Sequence, residues 1–423
     1  MLERSNPLIH QGLWKRWGVG CLVLAGIVSI TGICCAADWP QWLGPNRDGS
    51  TSETVEPWKE PPKVLWRVNV GEGHGGPVVY GDRVYLHYKV DGEEKEEVLC
   101  LDANEGKVIW RQTYERPPFS NIYGNGPRST PLADLDHLYT VSPSGLLICW
   151  DRRKGEEKWR VNFLEQFQAK NLFFGVSTSP VLDGQRLIVM VGGPEASLVA
   201  FDKDTGGVLW KSGSEPASYS SPIISRFSGR RVGFCLTQQG LVAFDPESGQ
   251  RHWKFAFVDR LNESSTTPVR FGNAVFVSSV TAGSLALRLR DDGDKIAQEQ
   301  LWKNGLTSYF ATPVVVGDYL YGVFVSGIVN PTATLHCLEG PTGKSLWTRP
   351  NVGTYHATLI RAGNRLLLLE EGGILILIEP DPQKYRELCR AKVCGQTWAH
   401  PALSNGKLYV RDRKELLCVS LQP

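Results

Sequence analysis

The sequence lacks an excess of either charge and lacks a hydrophobic run long enough to cross a membrane. Its 423 residues contain 46 Lys and Arg against 44 Asp and Glu, and no basic cluster stands out along the chain. A balanced chain gives no electrostatic reason to bind nucleic acid or an anionic membrane. The uncharged apolar stretch 18–33 has sixteen residues, whereas a membrane-spanning helix needs about 20.

Short motifs of several enzyme classes are missing as well. The sequence has no nucleophile elbow, no His-Glu-x-x-His zinc motif and no phosphate-binding loop. Asp291-Asp292-Gly293-Asp294 offers carboxylates, but calcium needs about six to eight oxygen ligands. We interpret this stretch as a hairpin turn, and the sequence predicts no metal site.

The first 37 residues have the pattern of a secretory signal peptide. Arg4, Lys15 and Arg16 precede the apolar stretch, and Cys35-Ala36-Ala37 supplies small residues for cleavage. An uncleaved N-terminal anchor is the alternative, while the residues before Cys34 and before Cys35 make a poor lipobox. We therefore predict an exported protein, periplasmic or secreted, with no transmembrane span after cleavage.

A repeated hairpin signature organises most of the chain. In the segment 198–210, two apolar runs flank a polar turn in which Asp202 and Thr205 can bond backbone N–H groups and Gly206 can adopt positive φ. Tryptophans close the copies of this signature at intervals of 43 to 51 residues, at Trp66, Trp110, Trp159, Trp210, Trp253, Trp302 and Trp347. Such a period is typical of solenoids, arrays and propellers.

Each repeat unit predicts four short antiparallel strands. An opening strand is marked by a small residue or His before proline, as in Thr130-Pro131, and in one unit by Ala357-Thr358 instead. A second strand follows a Gly-Asp or Gly-Asn turn such as Gly317-Asp318, and the hairpin supplies the other two. Radial closure of eight such sheets removes exposed edges. The predicted fold is all-β, an eight-bladed β-propeller of four-stranded antiparallel blades that spans residues 63–423.

The two ends of the repeat array are each incomplete. The last unit ends with the strand 416–421 and has neither a following turn nor a tryptophan. The segment Val64–Val70 has the outer-strand pattern with no blade before it. We predict that the two segments pair antiparallel, so that the N-terminal strand completes the last blade.

Residues 38–62 precede the array and form a predicted N-terminal strap. Trp39, Trp42 and Trp58 make this segment too apolar for a free tail, and its prolines and glycines oppose a regular element. We expect an extended strap on the propeller with its indoles in surface grooves.

The seven repeat tryptophans are interpreted as structural. Their place in the outer strand puts each indole between neighbouring blades, where it can bury about 150–250 Å² and donate its N–H to a backbone carbonyl. Aromatic ligand binding is the alternative for such a series.

Seven cysteines follow residue 37, and this odd number argues against a full disulfide framework. Four of them occupy a repeat position that is alanine in other units, and we expect small buried residues at Cys100, Cys149, Cys337 and Cys418. Cys389 and Cys394 lie close together in the sequence and could form a disulfide in an oxidising compartment.

The hairpin signature resembles the tryptophan-docking repeat of pyrroloquinoline quinone-type (PQQ-like) propellers. The resemblance rests on the segments 200–210 and 101–110 and covers residues 63–421. It implies the propeller fold. That quinoprotein alcohol dehydrogenase-like superfamily includes calcium-dependent dehydrogenases and also non-catalytic relatives, such as the outer-membrane protein assembly lipoprotein of Gram-negative bacteria. The fold alone therefore does not select an activity.

The chain departs from the pattern that the resemblance to dehydrogenases would imply. Those enzymes stack pyrroloquinoline quinone on a disulfide between adjacent cysteines and bind calcium through Glu, Asn and Asp. Here the adjacent cysteines, Cys34-Cys35, lie in the predicted signal peptide, and the chain lacks the large insertions of such enzymes. We predict no cofactor. The alternative is a dehydrogenase that uses pyrroloquinoline quinone with calcium to oxidise alcohols or sugars.

Residues ahead of the opening strands should converge on an axial funnel. They differ between units, which suits an asymmetric ligand or partner, and the set comprises His74, Tyr123, Asn125, Arg128, Phe174, Tyr219, Glu263, Tyr309, Tyr355, His356, Trp398 and His400. The residues that combine charge, imidazole and aromatic surface are the strongest candidates, namely His74, Arg128, Glu263, His356, Trp398 and His400. Ordinary solvated loop residues are the alternative. The sequence predicts a monomeric, non-catalytic scaffold that binds a protein or glycan partner on this face, and no nucleic acid.

Overall fold

The computed structural model describes residues 38–293 and 295–422, and their strands form eight sheets, each with four antiparallel strands and one with an additional parallel strand. The predicted signal peptide, residues 1–37, lies outside the described residues. Blades 1 to 4 comprise β3 (Val78–Tyr80), β4 (Arg83–Lys89), β5 (Lys95–Asp102) and β6 (Val108–Glu115); β7 (Leu132–Ala133), β8 (His137–Val141), β9 (Leu146–Asp151) and β10 (Glu157–Asn162); β11 (Val181–Asp183), β12 (Arg186–Gly193), β13 (Ala196–Asp202) and β14 (Val208–Ser212); and β15 (Ile223–Phe227), β16 (Arg230–Thr237), β17 (Gly240–Phe244) and β18 (Arg251–Ala256).

Blades 5 to 8 include two strands from the N-terminal part of the chain. They comprise β19 (Val269–Phe271), β20 (Ala274–Ser279), β21 (Gly283–Asp291) and β22 (Ile296–Asn304); β23 (Val314–Val316), β24 (Tyr319–Val325), β25 (Ala333–Glu339) and β26 (Ser345–Gly353); β27 (Ala357–Ala362), β28 (Arg365–Glu370), β29 (Ile374–Ile378) and β30 (Glu387–Lys392) with β1 (Ser50–Thr51); and β31 (Ala402–Ser404), β32 (Lys407–Arg411) and β33 (Glu415–Ser420) with β2 (Val64–Asn69). The predicted eight-bladed propeller of four-stranded blades is confirmed.

The last blade closes as the sequence predicts. Strand β2 pairs antiparallel with β33, with Val64 opposite Val419 and Asn69 opposite Glu415. The backbone N–H of Val70 continues the pairing with a 2.8 Å hydrogen bond to the carbonyl of Lys414. The ring is therefore closed by backbone hydrogen bonds between the two ends of the propeller rather than by a turn.

In blades 1 to 4 and in blade 6, the outer hairpin places a glycine against a tryptophan of the preceding blade. In blade 3 the Asp202 carboxylate accepts hydrogen bonds from the backbone N–H groups of Asp204 and Thr205. Gly206 has φ of 74°, and a Cβ at this position would lie 2.7 Å from the indole of Trp159. Both the backbone conformation and the indole packing therefore require glycine here.

Six of the seven repeat tryptophans donate an indole hydrogen bond to a carbonyl in the next blade. The distances run from 2.7 to 3.3 Å, and the donor and acceptor pairs are Trp66 with Ala103, Trp110 with Arg152, Trp159 with Lys203, Trp210 with Pro246, Trp302 with Gly340 and Trp347 with Asp381. The contacts join successive blades around the ring, which is the structural role that the sequence predicts for this series.

Two positions break the tryptophan pattern. The Trp253 indole N–H has no partner among the described residues, and the next blade has a longer outer hairpin, in which β21 extends to Asp291. In blade 7, Cys389 occupies the repeat position of the tryptophan. It pairs with Leu377 as Trp210 pairs with Ala200 in blade 3. A tryptophan at position 389 would have no turn carbonyl to bond in blade 8, because no turn connects the two outer strands of that blade, β2 and β33.

The N-terminal strap enters the centre of the propeller. Trp39 is 1% exposed and bonds the backbone of Val79 in blade 1, and the carbonyl of Pro40 accepts a 2.8 Å hydrogen bond from the N–H of Ala133 in blade 2. Arg47 is buried and donates from Nε to the Pro222 carbonyl at 2.7 Å. The expectation of indoles in surface grooves is wrong for Trp39, because the channel between eight inner strands is wide enough to hold this loop of the strap.

The strap leaves the channel at the end opposite the funnel. Strand β1 pairs in parallel with β27 of blade 7, with Ser50 opposite Arg361. The Glu53 carboxylate then accepts hydrogen bonds of 2.8 and 2.7 Å from the N–H groups of Asn405 and Gly406 in a turn of blade 8. Trp58 packs, partly buried, against the core between blades 7 and 8. The strap thus forms a plug that is bonded to the inner surface of the ring.

All seven cysteines in the described part of the chain are free thiols. The disulfide considered for Cys389 and Cys394 is therefore not formed. Cys394 is buried in the core cluster that also contains Val393, and Cys389 packs against the same cluster, so both serve as small apolar residues. Burial raises the pKa of the Cys394 thiol to about 12. The four predicted core cysteines, Cys100, Cys149, Cys337 and Cys418, are fully buried.

Helical structure is limited to α1 (Phe163–Gln166) among the described residues. The Asn162 side chain caps this helix by accepting a hydrogen bond from the N–H of Glu165. Within the same residues, no helix has the length and apolar character required to span a membrane.

Candidate functional site

A cavity of about 460 Å³ lies on the propeller axis at the funnel end, where the chain passes from each outer strand to the next inner strand. Its walls come from these connecting loops and from the loop between β24 and β25. Eight aromatic side chains contribute to the wall, namely Tyr123, Phe173, Phe174, Tyr219, Tyr309, Phe310, Tyr355 and Trp398.

The aromatic rings touch one another around the cavity. Phe310 lies 5.8 Å from Phe174 and 6.3 Å from Trp398 between ring centroids, and Trp398 lies 5.5 Å from His74. Tyr123 closes this collar by an edge contact to Phe174 at 5.7 Å. Phe310 has φ of 59°, which is unusual for a bulky residue. Such strain often accompanies functional sites.

The floor of the cavity consists of hydroxyl groups and the strap. Inner-strand N–H groups donate to hydroxyls of the next blade, from Thr130 to Ser179 at 3.0 Å and from Ser179 to Ser221 at 2.9 Å. Trp42 of the strap lines the cavity and donates its indole N–H to the Thr267 hydroxyl at 2.9 Å. The cavity is therefore open at its mouth and closed by the strap below.

Trp398 and His74 lie in the cavity wall, as the sequence predicts for the funnel. The Trp398 indole N–H donates to the Glu371 carboxylate at 2.8 Å, which fixes the ring. His74 Nε2 lies 2.9 Å from the Tyr123 carbonyl. Burial, and then the nearby positive charge of Arg128, lower the pKa of His74 to about 3, so this imidazole is neutral near pH 7.

Arg128 and Glu263 supply the charges of the cavity lining. The Arg128 guanidinium donates to the carbonyls of Gly126 and Gly124 at 3.0 and 2.8 Å, and burial lowers its pKa to about 10. The Glu263 carboxylate accepts a 2.6 Å hydrogen bond from the Tyr309 hydroxyl. Burial raises the pKa of Glu263, although the hydrogen bond from Tyr309 opposes this effect.

His356 and His400 lie below the cavity and are not part of its lining. The His400 ring stacks on Trp39 with 5.9 Å between centroids, and its Nδ1 lies 2.9 Å from the Pro401 carbonyl. His356 is 4% exposed, and neither of its ring nitrogens has a partner in the described structure. Burial lowers the pKa of each imidazole to about 4. The structure thus brings together four of the six strongest candidates.

Several residues of the mouth were missed by sequence reasoning. The exposed apolar side chains Ile122, Phe173, Leu261 and Ile328 line the cavity and are 83%, 62%, 42% and 44% exposed, respectively. They form the funnel rim. Three of them lie in the loops already considered, and an apolar side chain in a solvated loop is the signal that could have identified them.

A second cavity of about 470 Å³ adjoins the first and shares His74, Ile122, Tyr123 and Trp398 with it. Its lining is more charged and includes Glu72, Asp91, Arg411, Asp412 and Arg413. The described residues contain no group of three or more His, Cys, Asp or Glu side chains that could hold a metal ion. These residues therefore offer no ligand set for the calcium of the dehydrogenases.

The family model described as outer membrane protein assembly factor BamB matches residues 53–126 and 94–349 of this chain. The chain belongs to this BamB family. A BamB of Shewanella oneidensis is 24% identical over 269 residues, which cover 60% of this chain and 65% of that protein. A BamB of Yersinia pestis is 23% identical over 311 residues, which cover 69% of this chain and 71% of that protein. The chain thus spans slightly less than two thirds of the Shewanella relative.

Solved structures share the fold at low sequence identity. BamB from Moraxella catarrhalis superposes with a TM-score of 0.60 at 14% identity and covers 85% of this chain and 97% of its own. Quinohemoprotein alcohol dehydrogenase from Comamonas testosteroni also gives 0.60, at 13% identity, with 91% and 80% covered. The family match and the BamB relatives place the chain in the PQQ-like propeller superfamily, and these two structures show only that it shares their fold.

Proposed function

We propose that this BamB-family chain is an exported, non-catalytic scaffold in the assembly of outer membrane proteins, and that a protein partner binds at the funnel mouth. The observation that carries the proposal is the funnel rim above an aromatic cavity that is open at its mouth and closed below by the strap. Exposed apolar patches bordered by polar surface are typical of protein interaction sites. A concave pocket within such a patch can receive an anchoring side chain.

Family membership supports the biological setting. The two BamB relatives are described as outer membrane protein assembly factors, and the predicted signal peptide would export this chain to the same compartment. The cavity lining contains a single carboxylate, that of Glu263, which offers too few oxygen ligands for calcium. The proposal therefore includes no redox chemistry and no bound cofactor.

The test measures outer membrane protein levels in cells that lack the chain and in cells that carry rim variants. We expect Ile122→Asp combined with Phe173→Asp to lower these levels as the deletion does, because two charges would prevent apolar docking. Leu135→Asp is the matched control, since Leu135 is 59% exposed in the turn between β7 and β8, at the opposite end of the propeller.

Protein abundance and melting temperature must be equal for the unmodified protein, the rim variant and Leu135→Asp, so that folding does not explain the difference. Normal outer membrane protein levels in the deletion strain would refute the assembly role. Normal levels in the rim variant, with a defect in the deletion strain, would refute the funnel mouth as the binding surface.

A further inference from the structure

Two opposite charges face the funnel cavity without an ionic partner. Arg128 donates only to backbone carbonyls, and Glu263 accepts only from the Tyr309 hydroxyl among the described side chains. Neither forms a salt bridge within the described part of the chain, and they do not pair with each other. The carboxylate of Glu72 favours the charged form of Arg128 but forms no salt bridge with it. A half-buried charge gains from a directly hydrogen-bonded counterion, so both groups are suited to a ligand that supplies the opposite charges.

Both charged groups are held in place. The Arg128 guanidinium also lies over the Phe119 ring, 5.5 Å from its centroid, and two carbonyls fix its orientation. Glu263 is fixed by Tyr309, whose ring stacks on Phe310 at 3.7 Å. Because neither side chain can move freely toward the other, a ligand in the cavity would meet a positive group on one wall and a negative group on another.

The floor adds hydrogen-bond donors between these walls. The Ser179 and Ser221 hydroxyl oxygens each accept a backbone N–H, and Thr267 accepts the Trp42 indole. A hydroxyl that accepts still has one hydrogen to donate, and these three hydroxyls have no acceptor among the described residues. The floor can therefore bind carbonyl or carboxylate oxygens.

The rest of the wall is apolar and aromatic. The collar formed by Tyr123, Phe174, Phe310, Trp398 and His74 surrounds the cavity between the charged groups and the rim. A neutral His74 adds no third charge to the lining. The cavity volume of 460 Å³ falls within the range of about 300–1,000 Å³ that is usual for small-molecule sites.

We propose that the funnel cavity binds a short peptide with a free amino end, a free carboxyl end and an apolar or aromatic side chain. The carboxylate would pair with Arg128 and the floor hydroxyls, the ammonium with Glu263, and the side chain with the collar. A ligand with one charge would leave the other wall group unpaired, and an uncharged ligand would leave both. This site goes beyond the proposed scaffold function, since it requires no protein partner.

The test is calorimetric titration of the purified protein with three probes, the dipeptide Leu-Phe, its N-acetyl form and its C-terminal amide. We expect Leu-Phe to bind and each blocked form to bind at least about tenfold more weakly, since charge-assisted pairs are the strong hydrogen bonds. In Glu263→Gln, acetylation should no longer weaken binding. In Arg128→Met, amidation should no longer do so.

Exposed residues provide matched controls. Glu60→Gln and Arg226→Met make the same changes on exposed surface and should preserve the preference for both free ends. If Arg128→Met does not fold, the affinities of the unmodified protein for Leu-Phe and its two blocked forms still test the proposal. Equal binding of Leu-Phe and its blocked forms would overturn the proposal, as would no binding of Leu-Phe at concentrations up to about 10 mM. Neither result would change the expected effect of the rim variants on outer membrane protein levels, so this proposal and the proposed function can fail separately.

Discussion

The Trp42 indole donates a 2.9 Å hydrogen bond to the Thr267 hydroxyl, and this contact connects the strap to blade 5 across 225 residues of sequence. The same indole lines the funnel cavity. The strap therefore fills the channel and, through Trp42, also forms part of the floor of the candidate site.

Arg47 tests the contribution of the plug to stability. Its guanidinium donates to the carbonyls of Pro222 and Ser179 at 2.7 and 2.6 Å. Arg47→Lys keeps the charge but cannot reproduce both bonds, so we expect the free energy of unfolding to fall by about 1–3 kcal/mol. Denaturant unfolding measures the change, and Arg67→Lys is the control because the Arg67 side chain is 58% exposed. Equal stability of the two variants would contradict a structural role for the plug.

The closure of blade 8 predicts different outcomes for two deletions. Removing residues 38–70 removes β2 and leaves an edge of β33 unpaired, so we expect aggregation. Removing residues 38–62 keeps β2 and should give a monomeric, less stable protein. Light scattering after size-exclusion chromatography distinguishes these results. A monomeric 38–70 deletion with an unchanged melting temperature would show that the pairing does not close the ring.

Trp302 and Trp253 separate the hydrogen bond of the docking tryptophans from their packing. Trp302 donates to the Gly340 carbonyl at 2.7 Å, whereas Trp253 has no partner in the described structure. We expect Trp302→Phe to lower the free energy of unfolding by about 1 kcal/mol more than Trp253→Phe, because only the first leaves a carbonyl without its donor. Denaturant titration of both variants provides the measurement, and equal losses would mean that packing alone holds the blades together.

The buried imidazoles predict a loss of stability at acidic pH. Burial lowers the pKa values of His356 and His400 in the folded protein from 6.5 to about 4. Below pH 6.5 the unfolded chain binds protons at these positions and the folded chain does not, so stability falls as the pH decreases from about 6.5 to 4. Each histidine contributes about 3 kcal/mol at most to this loss.

The variant His400→Gln should weaken this pH dependence. We expect the difference in melting temperature between pH 7.5 and pH 5 to be smaller in His400→Gln than in the unmodified protein, because one depressed pKa is removed. The control is His252→Gln, at a half-buried position in the outer strand β18, which should change the difference less. An identical pH dependence in all three proteins would show that His400 is not buried in its neutral form.

The repeat predicts the propeller fold, and it also indicates the depth of the two buried histidines, His356 and His400. His400 precedes Pro401 as Thr130 precedes Pro131, and Thr130 belongs to the ring of inner-strand residues that are bonded between blades. Ser179, Ser221 and Thr267 occupy the same repeat position and line the cavity floor, so register equivalence would have placed His400 at the level of the floor and not in the wall. His356 likewise occupies a position that is buried in other blades, as at Ser129 and Ser220.

The strap could not be placed from the sequence in the same way. Residues 38–62 carry no copy of the repeat, and their contacts depend on the channel that the complete ring creates. The hydrogen bonds of Arg47 reach Ser179 in blade 3 and Pro222 in blade 4, which lie 132 and 175 residues away in the sequence. The position of Trp42 in the cavity floor, and hence part of the candidate site, follows from tertiary structure alone.

The pairing of Val64 with Val419 also sets the order of events during synthesis of the protein. Strand β2 is made before the seven complete blades, and its partner β33 is made after all of them. The ring cannot close until the ribosome has made β33 (Glu415–Ser420), and contacts so distant in sequence form slowly. Until then each incomplete chain has unpaired strand edges, which make it prone to aggregation and a substrate for chaperones.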